Sequence, residues 1–564
     1  MRAFVLFSCL FVSFLITAQY NPNRYKKQIF TTTTSNMDVQ YGTAPQWVFP
    51  YWNEDLKLNV YRPYGDTLTK RPLIIMAHAG GFLNGSKDVD DMVALCDSFA
   101  KRGYVTATIA YRKGFNPLDG QSAERAVYRG IQDGKAAVRY FKQFANTYGI
   151  DTNYIFFGGM SAGGYIALHV GYMDKETERP ASTYGGGTVN NLGCLDCAGN
   201  TYVVSSKVRA VLDFWGAVQD TSIIEAGDVP ALIMHGINDG TVPYDKGHPF
   251  GVPTLPETYG GFPVSIRMNN LGVYNEFINS TSNLHMLDGS DNGTFPSSGP
   301  NAFWHDTLIP RTNKFLFNLV KPIPSKLSPD TIYTCRNDAF NANIQPQGTK
   351  AHYWLTSSGM NITTDSPNGV FSATQAGTFQ LGYVEVNHLL AFSDTLWFTV
   401  VVNELPDVQL TADESTICKG ESVTLTASGA AAYSWDQGLN PNTVQVVSPA
   451  VTTAYTVTGT SDKGCVKTAV LTVTVDDCLA VEDIASQKII LYPNPAQNNF
   501  VIEGEQLSGM YASFELMDLT GKVIKTGIIS SNSQLIDVSE LSDGVYFVNL
   551  TGKNQKTIKV EIRR

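Results

Sequence analysis

One stretch constrains this chain more than any other: Tyr154-Ile-Phe-Phe-Gly-Gly-Met-Ser161-Ala-Gly-Gly-Tyr-Ile-Ala-Leu-His169. An apolar run reads as a buried strand, a glycine-flanked turn carries one serine, and a helical pattern follows. Within it, Gly159-Met160-Ser161-Ala162-Gly163 fits G-x-S-x-G, in which a sharp strand-to-helix turn holds a serine hydroxyl clear of the backbone. The glycines have a steric reason, because a Cβ beside the serine would run into the incoming strand or the outgoing helix. The pentapeptide alone is weak evidence: in 564 residues with 49 glycines, roughly a few tenths of a match arises by chance. The flanking elements and the partners elsewhere in the chain decide its meaning.

Those flanks alternate between strands and helices. Residues 55–63 alternate as a strand that meets a turn at Pro63, and Pro72–His78 is a buried strand running into Ala79-Gly80-Gly81-Phe82. A helical pattern over 91–103 holds Cys96, read as a buried structural thiol. Val105–Tyr111 is the next strand. A long helix over 122–148 puts Val127, Ile131, Val138, Phe141, Ala145 and Tyr148 on one stripe. Strands follow at 208–214, 231–235 and 273–279, with a helix ending near Gly272 and a last one over 303–320. This order predicts an α/β unit with a mostly parallel sheet and helices on both faces. Residues 173–207, polar and glycine-rich, read as an insertion on the substrate side, stapled by a Cys194–Cys197 disulfide. Together with 112–122 they are expected to shape the pocket.

In such a sheet, reacting groups gather at the carboxyl ends of the strands. Ser161, Asp239 and His285 each follow a different strand end, in that chain order. A serine hydroxyl is a weak nucleophile until a neutral imidazole takes its proton, and a carboxylate fixes the imidazole tautomer. The Gly80–Gly81 pair past a strand end leaves backbone N–H groups unshielded, as an oxyanion-binding turn requires. His169, on the helix headed by the serine, reads as a core residue. For the base, His305 and His248 are alternatives to His285, and a second register puts Asn292 there and leaves the site without a base.

His78-Ala-Gly-Gly-Phe82, Tyr111-Arg112, Gly159-Met-Ser-Ala-Gly-Gly164 and His235-Gly-Ile-Asn-Asp239-Gly-Thr-Val-Pro243 resemble secreted carboxylesterases and lipase-like enzymes of the α/β-hydrolase superfamily, over roughly residues 40–321. The resemblance implies Ser161 as nucleophile, Asp239 as acid, and the amides of Ala162 and the Gly80–Gly81 turn as oxyanion hole. His78 and His235 match non-catalytic positions. Ala79 stands where glycine is usual, and Ser282-Asn-Leu-His285 lacks the glycines of the family's turn. The implied reaction is hydrolysis of carboxylic esters, with short acyl, lipid, plant-wall or polyester substrates, and it needs no metal or cofactor. A serine peptidase of the same fold and a surface-adhesion protein with an inactive hydrolase domain are the other readings.

Beyond Lys321-Pro-Ile-Pro324 the pattern turns to short threonine-rich strands. Residues 322–403 and 404–478 read as a tandem repeat: Thr-Ile-Tyr-Thr-Cys335 parallels Ser-Thr-Ile-Cys418, and Trp354 parallels Trp435. An early cysteine, a central tryptophan and a late cysteine resemble immunoglobulin-like sandwiches, which implies Cys418–Cys465 in the second module and leaves Cys335 and Cys478 unassigned. After a linker at 479–486, residues 487–564, with Tyr492-Pro-Asn-Pro495 and Asp543-Gly-Val-Tyr546, resemble the C-terminal sorting domain of the Bacteroidetes type IX secretion system. That implies a small β-sandwich read by the export machinery. Residues 1–18 read as a signal peptide, leaving residues 19–321 as the catalytic domain. The protein is thus expected to pass through the periplasm to the cell surface or medium, with no transmembrane anchor after cleavage. The formal charge of −10 argues against nucleic acid.

Overall fold

The computed structural model describes residues 20–48, 51–185, 191–346, 348–364, 367–478 and 488–564. The expected signal peptide and the linker at 479–486 lie outside the described residues. The chain divides into two compact units. One reaches to Pro406 and includes Thr460–Lys467, and the other holds Asp407–Gly459 and Thr468–Arg564.

In chain order the first unit begins with β1 (Thr33–Pro45), β2 (Asn53–Pro63), β3 (Arg71–Ala77), β4 (Val105–Ile109), β5 (Ile150–Met160) and β6 (Ala210–Phe214). There follow β7 (Ala217–Val218), β8 (Ala231–Gly236), β9 (Lys246–Gly247), β10 (Thr258–Gly260) and β11 (Asn275–Ser280). Eight of these form one sheet in the order β1-β2-β4-β3-β5-β6-β8-β11, while β7, β10 and β9 make a small second sheet. The pairings β1–β2 and β2–β4 are antiparallel, and every pairing from β4 to β11 is parallel. The helices are α1 (Asp90–Ala100), α2 (Gly120–Gln143), α3 (Ala145–Tyr148), α4 (Ala162–Tyr172), α5 (Gly261–Asn270) and α6 (Ile309–Val320). The expected helix over 122–148 is broken at Phe144, whose φ of −105° and ψ of 25° leave the helical region. The last helix is entered through a π-turn at Trp304–Leu308.

Strand residues alternate between two cores, one on each sheet face. Leu73, Ile75 and Ala77 of β3 pack with residues of α2, α4 and α5. Ile74 and Met76 of the same strand pack with α1 and α6. This is the period-two signature of a sheet covered on both sides. Cys96 is buried among the second set and unpaired, and burial pushes its thiol up to about 12, so it is unreactive.

Behind the site, Arg112 and Asp133 form an ion pair with side chains only 3% and 0% exposed. Asp133 accepts from the Arg112 backbone N–H at 2.7 Å and from Nε at 3.0 Å, and Arg112 also donates to Gln132 Oε1. Asp133→Ala leaves a buried guanidinium without its counter-charge. It is expected to destabilise this unit by about 3–5 kcal/mol, read as an earlier urea transition.

The Cys194–Cys197 disulfide is present. Its segment lies against α2 and not over the pocket: Gln132 Nε2 donates to the carbonyls of Leu192 and Cys194, and Tyr128 Oη to that of Gly193.

Further along, each repeat consists of a four-stranded and a three-stranded sheet around an apolar cluster. The Cys418–Cys465 pairing is not found; Cys418 bonds Cys478, and Cys335 bonds Cys465. The cause is strand direction. Thr416–Cys418 runs parallel to Val466–Asp476 and sets Cys418 opposite Asp476, two residues from Cys478. Cys465 precedes the other end of that strand, on the order of 30 Å away. The C-terminal segment forms a three-stranded sheet and a four-stranded sheet (order 523–528, 511–517, 544–552, 555–562) around Phe500, Phe514, Leu516, Val548 and Val560.

Candidate active site

β5 delivers Ser161 to the carboxyl edge of the sheet, and α4 leaves immediately behind it. Ser161 adopts φ 54° and ψ −116°, a conformation that side-chain-bearing residues rarely occupy. The turn is locked by the Ser161 N–H donating to Phe214 O at 2.9 Å and by Tyr165 N–H donating to Ser161 O. The glycines are obligatory. A Cβ on Gly159 would fall 2.2 Å from Gly163, and one on Gly163 would fall 2.0 Å from the Ala77 carbonyl oxygen.

Asp239 follows β8, and His285 follows β11, the neighbouring strand. His285 Nε2 lies 2.7 Å from Ser161 Oγ, and His285 Nδ1 lies 2.7 Å from Asp239 Oδ2. Asp239 Oδ1 accepts from the amides of Thr241 at 2.8 Å and Val242 at 3.0 Å. A further donor was not foreseen. His235 Nδ1 accepts from the Gly261 amide at 3.1 Å, which puts its proton on Nε2; that N–H faces the Val242 carbonyl at 3.2 Å and also lies 3.4 Å from Asp239 Oδ2. Burial works to raise the Asp239 pKa, but hydrogen bonds from His235, His285 and the Thr241 amide, with the His285 charge, hold it well below the usual carboxylate range.

The turn that carries His285 reaches its shape without glycine. Ser280 Oγ accepts from the Ser282 amide and Ser282 Oγ from the Leu284 amide, so hydroxyls supply the turn bonds. Buried Met286 and Leu287 anchor its far side. Beyond them Ser290 Oγ donates to Asp288 at 3.0 Å and approaches Asp91 at 3.5 Å, tying the loop to α1.

The other histidines stand elsewhere. His78 and His169 are buried, each with Nδ1 on a local carbonyl, and burial pushes both down to about 4. His248 Nδ1 bonds the Leu255 carbonyl. His305 is exposed and lines a separate groove with Lys26 and Arg102. Asn292 sits in a turn between Asp291 and Thr294.

Of the three expected oxyanion donors, Gly81 and Ala162 line one cleft with Ser161, and Gly80 does not. Gly80 shapes the turn: its carbonyl accepts from the Leu83 and Asn84 amides, and its φ of 125° suits glycine alone. Phe82 lines the cleft in its place. Among the described residues no protein acceptor engages the amides of Gly81, Phe82 or Ala162. The cleft has about 620 Å³ of empty space, counting the part open to solvent. Its walls are Phe115, Ala123 and Val127 on one side and Pro249, Phe250, Leu255 and Pro256 on the other, with Glu124 and Gln219 as polar groups. Gln219 Nε2 donates to Glu124 Oε1 at 2.9 Å. Phe250, with φ 56° and half its surface exposed, sits over Gly81. No described residue of 173–207 lines the cleft; the loop between β8 and β10 does, and only Pro and Gly mark it in the sequence.

Residues 58–221 match the BD-FAE family model, and residues 490–562 match that of the secretion system C-terminal sorting domain. Carboxylesterase 3B of Mus musculus is 35% identical over 121 residues, 21% of this chain and 21% of that protein. Secreted lipase 4 of Gibberella zeae is 31% identical over 119 residues, 20% of this chain and 21% of that protein. The chain thus spans about a fifth of the length of these relatives. Among solved structures, Thermogutta terrifontis esterase 2 phosphoramylated by tabun aligns at 20% identity over 51% of this chain and 96% of that chain, with a TM-score of 0.36. Residues 58–221 are thus similar to the BD-FAE family and to esterases and a lipase, and residues 490–562 to the secretion system C-terminal sorting domain.

Proposed function

We propose that residues 19–321 are a serine esterase that cleaves carboxylic esters through an acyl-enzyme on Ser161. The observation that carries this reading is the pair of 2.7 Å contacts joining Ser161 Oγ, His285 and Asp239. Ser161 Oγ attacks the ester carbonyl carbon while His285 Nε2 takes its proton. Asp239 holds the Nδ1–H tautomer and stabilises the imidazolium. The tetrahedral oxyanion rests on the amides of Ala162 and Gly81, and losing one such donor costs about 10²–10³ in rate. His285 then returns the proton to the departing alkoxide. Water, deprotonated by the same nitrogen, attacks the acyl carbon, and the carboxylic acid leaves as Ser161 regains its proton.

The apolar cleft walls favour an apolar acyl group, and the candidate substrates are short acyl, lipid, plant-wall or polyester esters. The modules at 322–403 and 404–478 are read as immunoglobulin-like sandwiches. Residues 487–564 are read as the address that hands the protein to the type IX machinery for release or display at the cell surface. No helix among the described residues is long and apolar enough to cross a membrane.

Labelling by a fluorophosphonate tests the assignment. Intact-mass and peptide analysis should find one adduct per chain, on Ser161. An unlabelled protein, or an adduct on a different serine, rejects it.

A further inference from the structure

The first β-module displays an aromatic face that neither ester hydrolysis nor sorting uses. Its four-stranded sheet runs Thr331–Cys335, Leu396–Asn403, Gly377–Val386, Ala351–Thr356. Alternate residues such as Phe398, Val400, Leu381 and Tyr383 fill the module's core. Their neighbours point outward, and the register sets Leu355, Gly382 and Trp397 in one row across three strands.

Gly382 has no side chain, and the Trp397 indole occupies the space above it. A Cβ at 382 would fall 2.9 Å from Trp397 Cζ3 and 3.1 Å from the Leu355 Cβ. A glycine inside a strand marks a close approach, and here it lets the indole lie against the backbone with its other side open. Trp397 is 55% exposed and Leu355 43%. One row along, Tyr353 stacks on Phe392 with centroids 5.8 Å apart and 9° between the planes. On the neighbouring edge strand Tyr333, opposite Val401, is 72% exposed. Beyond Tyr353 the face is covered, where Phe392 and Ala351 pack with Val386 and Leu68; the part left in water, around Trp397, Leu355 and Tyr333, marks a binding surface.

The charge pattern selects the occupant. The outward positions of these strands carry no Asp, Glu, Lys, Arg or His, although the chain as a whole carries −10. Their polar members are Thr331, Thr378, Gln380, Thr399 and Asn403, which donate and accept hydrogen bonds without charge. Gln380 Nε2 already reaches toward Thr399 Oγ1 at 3.4 Å, one row from the indole. A matching ligand is uncharged, presents a flat C–H surface to an aromatic ring and has hydroxyls at its rim. A pyranose ring has all three properties. Nucleic acid and phospholipid headgroups find no cation on this face. We propose that the outer face of this module binds a neutral polysaccharide, with a sugar ring stacked on Trp397 and hydroxyls meeting Gln380 and Thr399.

The test is independent of the esterase reading, because it uses ester-free polymers and the full chain. Wild type should be retained by insoluble cellulose or retarded in gels containing a soluble neutral β-glucan or deacetylated xylan. Trp397→Ala should weaken binding about tenfold or more. Gly382→Ala keeps the indole but lifts it off the sheet, and should weaken binding as well. Trp397→Ala should melt with wild type, Gly382→Ala somewhat earlier because its Cβ crowds Thr395 and Leu355, and both should hydrolyse soluble p-nitrophenyl acetate at the wild-type rate. Absence of wild-type binding to every polymer in the panel overturns the proposal, and so does undiminished binding by both variants. A dimer in light scattering that Trp397→Ala dissolves, without polysaccharide binding, assigns the face to a second copy and likewise overturns it.

Discussion

Ser161→Ala is expected to lower kcat on a p-nitrophenyl ester by about 10⁶, the loss seen when a triad serine is removed. The substitution deletes one hydroxyl at a residue already held at φ 54°, so the backbone penalty is the same in both proteins. The Phe214 and Tyr165 backbone bonds do not involve the side chain and persist. The melting temperature should therefore stay within a few degrees of wild type while turnover collapses. Turnover within a factor of ten of wild type would refute nucleophilic catalysis at this residue.

Asp239→Asn should cost about 10⁴ in kcat, with less effect on KM, because of how donors converge on this carboxylate. Two of them, the Thr241 and Val242 amides, are backbone groups that cannot reverse polarity, and both point at Oδ1. They force the asparagine oxygen to their side and turn its NH₂ toward His285. The imidazole must then accept at Nδ1 and carry its proton on Nε2, where it faces Ser161 as a donor and cannot receive the serine proton. The carboxylate also couples stability to pH. Its folded pKa is depressed, so its contribution is complete above the unfolded value of about 3.9 and is lost as pH falls through the lower folded value. Acid unfolding of the Asp239→Asn variant should lack that component below about pH 4. A kcat within tenfold of wild type would show that Asp239 does not set the tautomer.

The sequence was informative where chemistry and backbone geometry coincide. Ser161 is marked by glycines that have no steric substitute, and Asp239 lies in a turn just past an apolar strand. His285 is marked by spacing alone, since the bonds that shape its turn come from the side chains of Ser280 and Ser282 instead of glycine. β1 escaped notice because it is an exposed edge strand, interrupted by two register shifts, with no apolar alternation to reveal it. The support from His235 was hidden because a tautomer depends on a neighbour 26 residues away. The cysteine pairing failed for a topological reason: spacing does not say which way a strand runs, and the parallel pairing of Thr416–Cys418 sends Cys418 to Cys478.

One wall of the cleft, Pro249 to Pro256, lies between β9 and β10, a stretch that contributes no atom to the relay of Ser161, His285 and Asp239. On the proposed esterase reading, this part of the acyl-selecting wall and the proton relay are then encoded in separate stretches of the gene. Drift or directed evolution confined to those eight codons can retune which acyl group is admitted while the proton path stays intact.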